Sequence, residues 1–147
     1  MKGRDGFTLI ESLLVLLTLS VFFMVPLLGL KHWQEQMEIT RFFNTFERSL
    51  QKTHQSAIIE AQTTFVTPKQ ATQVIEFKYY HHGERHIEVL EAPENLHIHH
   101  SLRATFFPTT GNIQKITEVV VRNRLDGNQT MYQFQLGSGK VVKTTEK

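Results

Sequence analysis

Gly6-Phe7-Thr8-Leu9-Ile10-Glu11 heads a run that stays apolar as far as Leu30. Between Phe7 and Leu30 the single charge is Glu11. About 18 apolar residues are enough to cross a bilayer as a helix. At 1.5 Å per residue this run reaches roughly 36 Å, which allows some tilt. A carboxylate inside hydrocarbon costs roughly 2.5–3.5 kcal/mol or more, so Glu11 needs a partner or a purpose. A cut after Gly6 would supply one. Phe7 would become a free amine about one helical turn from Glu11, whose charge also suits the positive end of the helix dipole. In staggered helices, Glu11 of one chain can neutralise the amine of its neighbour.

Ahead of the run stand six residues, Met1 to Gly6, holding Lys2, Arg4 and Asp5. This leader, the Gly6–Phe7 junction, Glu11 and the apolar helix together resemble the leader junction of type IV pilins and pseudopilins. The resemblance implies that a membrane prepilin peptidase cuts after Gly6 and methylates the new N-terminus, Phe7. It makes Glu11, fifth after the cut, the assembly residue. It implies other major and minor pilins as partners, with an assembly platform protein and its ATPase acting indirectly. Lys2 and Arg4 hold the N-terminus on the cytoplasmic side, so the rest lies outside. A secretory signal peptide would instead need a small-residue cleavage site after the apolar core, and Leu27-Leu28-Gly29-Leu30 offers none of the usual form. An unprocessed single-span anchor leaves Glu11 unexplained.

The chain has 147 residues, enough for one modest domain behind the apolar run. With no cysteine, disulfides, iron–sulfur clusters and thiolate zinc sites are excluded, and the head rests on packing alone. Many Gram-negative pilins carry a C-terminal disulfide, so its absence points towards a Gram-positive pilin. The formal net charge of +2 falls to +1 without Lys2, Arg4 and Asp5. Bulk charge gives no case for nucleic-acid binding; only a local patch can.

Within the apolar run, Thr18 and Ser20 can bond their own helix carbonyls. Pro26 removes a donor and crowds the carbonyl four residues back, which kinks or loosens the helix. It is either a tolerated membrane proline or a place where the helix melts as a filament stretches. Lys31 and Trp33 suit a membrane interface. Ile39, Phe43, Phe46, Leu50, Ala57 and Ala61 then recur at helical steps, with His54 filling a gap and Phe42 off the stripe. The spacing predicts one helix from about Phe7 to about Gln62, membrane half first and amphipathic half (about 31–62) second.

From about residue 63 to 147 the pattern is β. Strands are predicted over Gln73–Tyr80, Arg85–Glu91, Leu96–His100, Ala104–Phe107, Ile116–Arg122, Thr130–Leu136 and Lys140–Thr144. Arg85–Glu91 sets Ile87 and Val89 against Glu88 and Leu90. Gly83, Pro93, Pro108 to Asn112, and Leu125-Asp126-Gly127-Asn128 mark the turns. The helix stripe must cover one face of this antiparallel sheet. The predicted class is α+β: leader 1–6, membrane or filament-core helix 7–30, and head 31–147, a lollipop. This is also the pilin fold.

Phe106-Phe107-Pro108-Thr109-Thr110-Gly111-Asn112-Ile113 and Leu136-Gly137-Ser138-Gly139-Lys140-Val141 resemble turns of H-type minor pseudopilins, most like the D-type minor pilin of the Gram-positive competence pilus. That implies a subunit that waits in the cell membrane, is drawn to the cell surface in a pilus, and serves DNA uptake in transformation. A type II secretion pseudopilin and a DNA-binding tip adhesin are the alternatives. Arg122, Arg124, Lys140, Lys143 and Lys147 are basic and read as one end of the head. The first four are the DNA-binding candidates, or else solvated strand ends. Some H-type pilins bind DNA through a glycine- and arginine-rich C-terminal stretch, but Gly139-Lys140 lacks the arginines. Six of the eight histidines are His81, His82, His86, His97, His99 and His100. A hairpin near Pro93 would bring His86 to His100 beside His97 and His99. They read as polar strand residues or as a weak metal or pH-sensing site. No nucleophile-and-base set, paired carboxylates or phosphate loop is visible, so neither catalysis nor a cofactor is expected.

Overall fold

In a computed structural model, residues 8–99, 101–113 and 115–146 are described, with the side chains of 25–29 left aside. The elements are α1 (Leu9–Ile59), β1 (Thr64–Lys69), β2 (Val74–His81), β3 (Glu84–Glu91), β4 (Leu96–Ile98), β5 (Ala104–Phe106), β6 (Thr117–Asn123), β7 (Gln129–Phe134) and β8 (Val141–Glu146). The class is α+β, one long helix with antiparallel sheets. The chain divides into two compact units, Met1–Met37 and Glu38–Lys147.

In the first unit every large apolar side chain from Leu9 to Met24 is exposed. The three hydroxyls bond back along the helix: Ser12 to Thr8 O, Thr18 to Val15 O and Ser20 to Leu16 O. The helix continues through Pro26. The side chains on which its kink reading rests, 25–29, lie outside the description, as do the leader and Phe7. Among the described residues no helix is long and apolar enough to cross a membrane. The span expected over 7–30 draws on residues beyond that set.

In the second unit α1 buries Ile39, Phe42, Phe46, Leu50 and Ala57. The stripe is shifted from its expected line: Phe42 is buried and Phe43 only partly so. Small hydroxyl residues widen it. Ser49, Thr53 and Ser56 are buried, and each hydroxyl is spent on the fold. Ser49 donates to Glu88, Thr53 to Ser49 O, and Ser56 to Tyr80 O. Helix and strand can approach closely because nothing bulky stands between them. The helix stops at Ile59, short of Gln62, because Ala61 turns left-handed (φ 50°). Ala61 is therefore exposed and leaves the stripe.

The strands form two four-stranded sheets, where a single sheet was expected. The first has order β3-β2-β1-β5 and the second β4-β6-β7-β8. β1 was not foreseen, because Pro68 reads as a breaker. It is tolerated because β5 pairs only Thr64 to Val66, so β1 has a free edge where Pro68 falls. The split follows from β4. β4 ends at Ile98, His99 N still donates to Val120 O at 2.9 Å, and Ser101 Oγ then caps the ladder by accepting from Val120 N at 3.1 Å. Leu102 and Arg103 then lead into β5, which joins the other sheet.

Both sheets turn apolar side chains inward: Val66, Ile75, Phe77 and Phe106 from one, Ile98, Val119, Tyr132 and Phe134 from the other. Phe46 meets both, with its ring centroid 5.7 Å from Phe77 and 4.6 Å from Tyr132. Phe106 and Phe134 close the gap at 6.0 Å. In β3, Leu90 packs on the core while Ile87 and Val89 face out, so their apolar character does not mark the buried side.

Candidate functional site

Thr8 O starts α1 by accepting from Glu11 N and Ser12 N. Glu11 thus lies in the first turn, where the helix dipole favours a carboxylate. It is exposed and has no ion-pair partner among the described residues. The processing residues Gly6 and Phe7 lie outside the described residues.

The basic residues do not gather at one end of the head. Arg122 pairs with Gln129, which pairs with Glu146, at one end of the second sheet. Lys140 adjoins Val141, which pairs with Phe134 and so with Thr117, at the other end. Five residues of strand separate the two, roughly 17 Å. Arg124 reaches back to His97, Nη2 to Nδ1 3.4 Å. Lys143 faces the helix, 2.8 Å from Glu47, and its charge is spent there. Sequence spacing hides this because strand direction and face, not separation along the chain, decide which charges meet. Lys147 lies outside the described residues.

The histidines divide between the sheets. His86 stacks on Tyr79 with centroids 5.6 Å apart, and His81 lies 4.2 Å from His82. His97 and His99 meet edge to face at 5.3 Å on β4 and just beyond it. β3 and β4 belong to different sheets, so the expected hairpin does not form and His86 does not join His97 and His99. His100 is outside the described residues. Among the described residues no group of three or more His, Cys, Asp or Glu side chains could hold a metal ion.

Two sites were not anticipated. At the seam between α1, β7 and β8, Glu47 accepts from Tyr132 Oη and Lys143 Nζ, both at 2.8 Å. The Lys143 bond, with help from Tyr132, holds the Glu47 carboxyl below its usual range against a modest cost of burial. Burial first, and then Glu47, pushes the Tyr132 phenol well above its ordinary value. Glu47, Tyr132, Lys143, Gln51, His54 and Lys140 line a cavity of about 420 Å³. Deeper, the two turns that resemble H-type pseudopilins close on one imidazole. A Cβ at Gly111 or at Gly139 would sit 2.5 Å from His54 Nε2, and one at Gly139 would sit 2.3 Å from Gly111 O. Both glycines have positive φ. His54 also lies against Phe106 at 5.1 Å, and its Nε2 is buried without a hydrogen bond. Each turn was legible; that both wrap the same helix residue was not.

Compared with known proteins, the chain matches no family model, no curated protein and no solved structure.

Proposed function

We propose that this chain is a prepilin, cut after Gly6 and methylated on Phe7, that assembles as an H-type minor pilin of a competence pilus. The observation that carries the reading is the Gly6-Phe7-Thr8-Leu9-Ile10-Glu11 junction ahead of the apolar run. Two structural features support it. The exposed apolar side chains from Leu9 to Met24, interrupted only by Glu11 and small hydroxyl residues, want lipid or neighbouring helices around them. This stretch is followed in the chain by an α+β unit with its own core, built on the second part of the same helix.

The mechanism is mechanical, with no catalytic step. The subunit waits in the cell membrane, N-terminus in the cytoplasm. After the peptidase frees Phe7, Glu11 pairs with the amine of a neighbouring pilin and fixes its register. Helix packing among major and minor pilins replaces lipid, and the platform protein and ATPase extract the subunit to the cell surface. There the pilus serves DNA uptake. A Glu11→Val variant is expected to be processed normally yet missing from sheared filaments, with transformation reduced. Normal incorporation of that variant would remove Glu11 from assembly.

A further inference from the structure

The outward face of the first sheet holds a site built from residues that neither the sequence motifs nor the proposed assembly mechanism uses. Register sets Phe65 opposite Lys78, and Tyr80 opposite Arg85. Arg103, just before β5, lays its guanidinium over the Phe65 ring at 4.9 Å. Phe65, Thr67, Lys78, Tyr80, Arg85 and Arg103 enclose a cavity of about 160 Å³.

The charges here are unequally committed. Lys78 lies 4.0 Å from Glu76, but Glu76 is also bridged by Lys69. Arg85 and Arg103 are exposed, and neither has a carboxylate partner among the described residues. Phe65 and Tyr80 are both partly exposed on this face. Two uncompensated guanidiniums and an ammonium around two aromatic rings call for a ligand with negative charge and flat apolar faces. The cavity is well below the roughly 300 Å³ of a small-molecule pocket, so it suits one ring or one phosphate of something larger. The rest of the ligand would run over the sheet.

We infer that this face, and not the C-terminal lysines, binds single-stranded nucleic acid, with Arg85, Arg103 and Lys78 on phosphates and bases stacked on Tyr80 and the Phe65–Arg103 pair. Cationic grooves with aromatic platforms hold single strands this way, and the planar guanidinium is itself a stacking surface. Unpaired bases are required, because the rings of a duplex are already stacked on one another. The choice of DNA as the polymer rests on the proposed role in DNA uptake; the site chemistry does not.

The test is fluorescence anisotropy with the full chain in detergent, using labelled oligothymidylate, the matching duplex, and polyglutamate as competitor. Oligothymidylate is expected to bind best. Arg85→Glu with Arg103→Glu is expected to weaken it at least about tenfold and to flatten the salt slope by about 1.4. Tyr80→Ala is expected to weaken it about fivefold or more. Lys140→Glu is expected to change it little. All variants should keep the wild-type circular dichroism, since the Tyr80 backbone retains its bonds to Ser56. The inference is overturned if the wild-type chain shows no saturable binding, or if the arginine variant binds as well as it. It is equally overturned if duplex binds as tightly, or if polyglutamate competes mole for mole. Leader processing, followed in cells on the same variants, separates the two readings. A processed chain that does not bind refutes this inference alone, and a binding chain that keeps its leader refutes the filament reading alone.

Discussion

At His54 one side chain decides what two distant turns must be. Gly111 and Gly139 have positive φ, and each would drive a Cβ into the imidazole. Gly139→Ala is therefore expected to cost about 3 kcal/mol or more, from left-handed strain and overpacking together. Gly83 is the control. It too has positive φ, in the two-residue hairpin with His82, but open space surrounds it. Gly83→Ala is expected to cost only about 1 kcal/mol. Denaturant unfolding of the two variants measures the difference, and equal costs would show that His54 and the Gly111 carbonyl both yield freely. Phe46, 1% exposed and touching both sheets, is the aromatic hinge of the core. Phe46→Ala is expected to cost about 3–5 kcal/mol by the same measurement. The helical step of Phe46 was legible in the sequence. The glycine–histidine packing was not, since it joins residues from three distant segments.

At the scale of elements, two carboxylates carried on α1 or just past it reach across to the sheets, beside the Glu88 carboxylate that β3 offers to Ser49 and Lys52. Glu47 accepts from Tyr132 and Lys143. Glu60, just past the helix, accepts from the amides of His82 and Gly83 at 3.0 and 3.1 Å. The Gly83 amide first, then that of His82, holds the Glu60 carboxyl below its usual value. Glu47 is also held low, chiefly by Lys143. Both folded values lie below the ordinary 4.5 of the unfolded chain. Their stabilisation is thus complete above that pH and is lost as pH falls through the lowered values. The unfolding midpoint is expected to drop on acidification below about pH 4.5, and Glu47→Gln with Glu60→Gln is expected to flatten that drop. An unchanged acid profile in the double variant would place the acid-sensitive contacts elsewhere. The hairpins at His82-Gly83 and Leu125–Asn128 were legible because their turn residues name the geometry. The split into two sheets was not: β4 and β5 are three residues each, and alternation over three residues says nothing about which distant strand they join.

At the scale of the whole molecule, the sequence announces two environments and the structure gives two units. One is a helical segment whose apolar side chains are all exposed from Leu9 to Met24, and the other is an α+β core. The long helix and its amphipathic part were readable because helical periodicity is a local signal. The grouping of surface charges was not, because it depends on strand order. Arg122 and Lys140 part company for that reason, while Arg85 and Arg103, eighteen positions apart in sequence, come to line one cavity. The filament reading rests at this scale on one covalent event, so the most direct measurement is the mature N-terminus by mass spectrometry, in cells with and without the prepilin peptidase. A pilin subunit gives loss of Met1 to Gly6 and a methylated Phe7 only when the peptidase is present. An intact leader in both strains, or a cut beyond Leu30, would contradict assembly into a pilus.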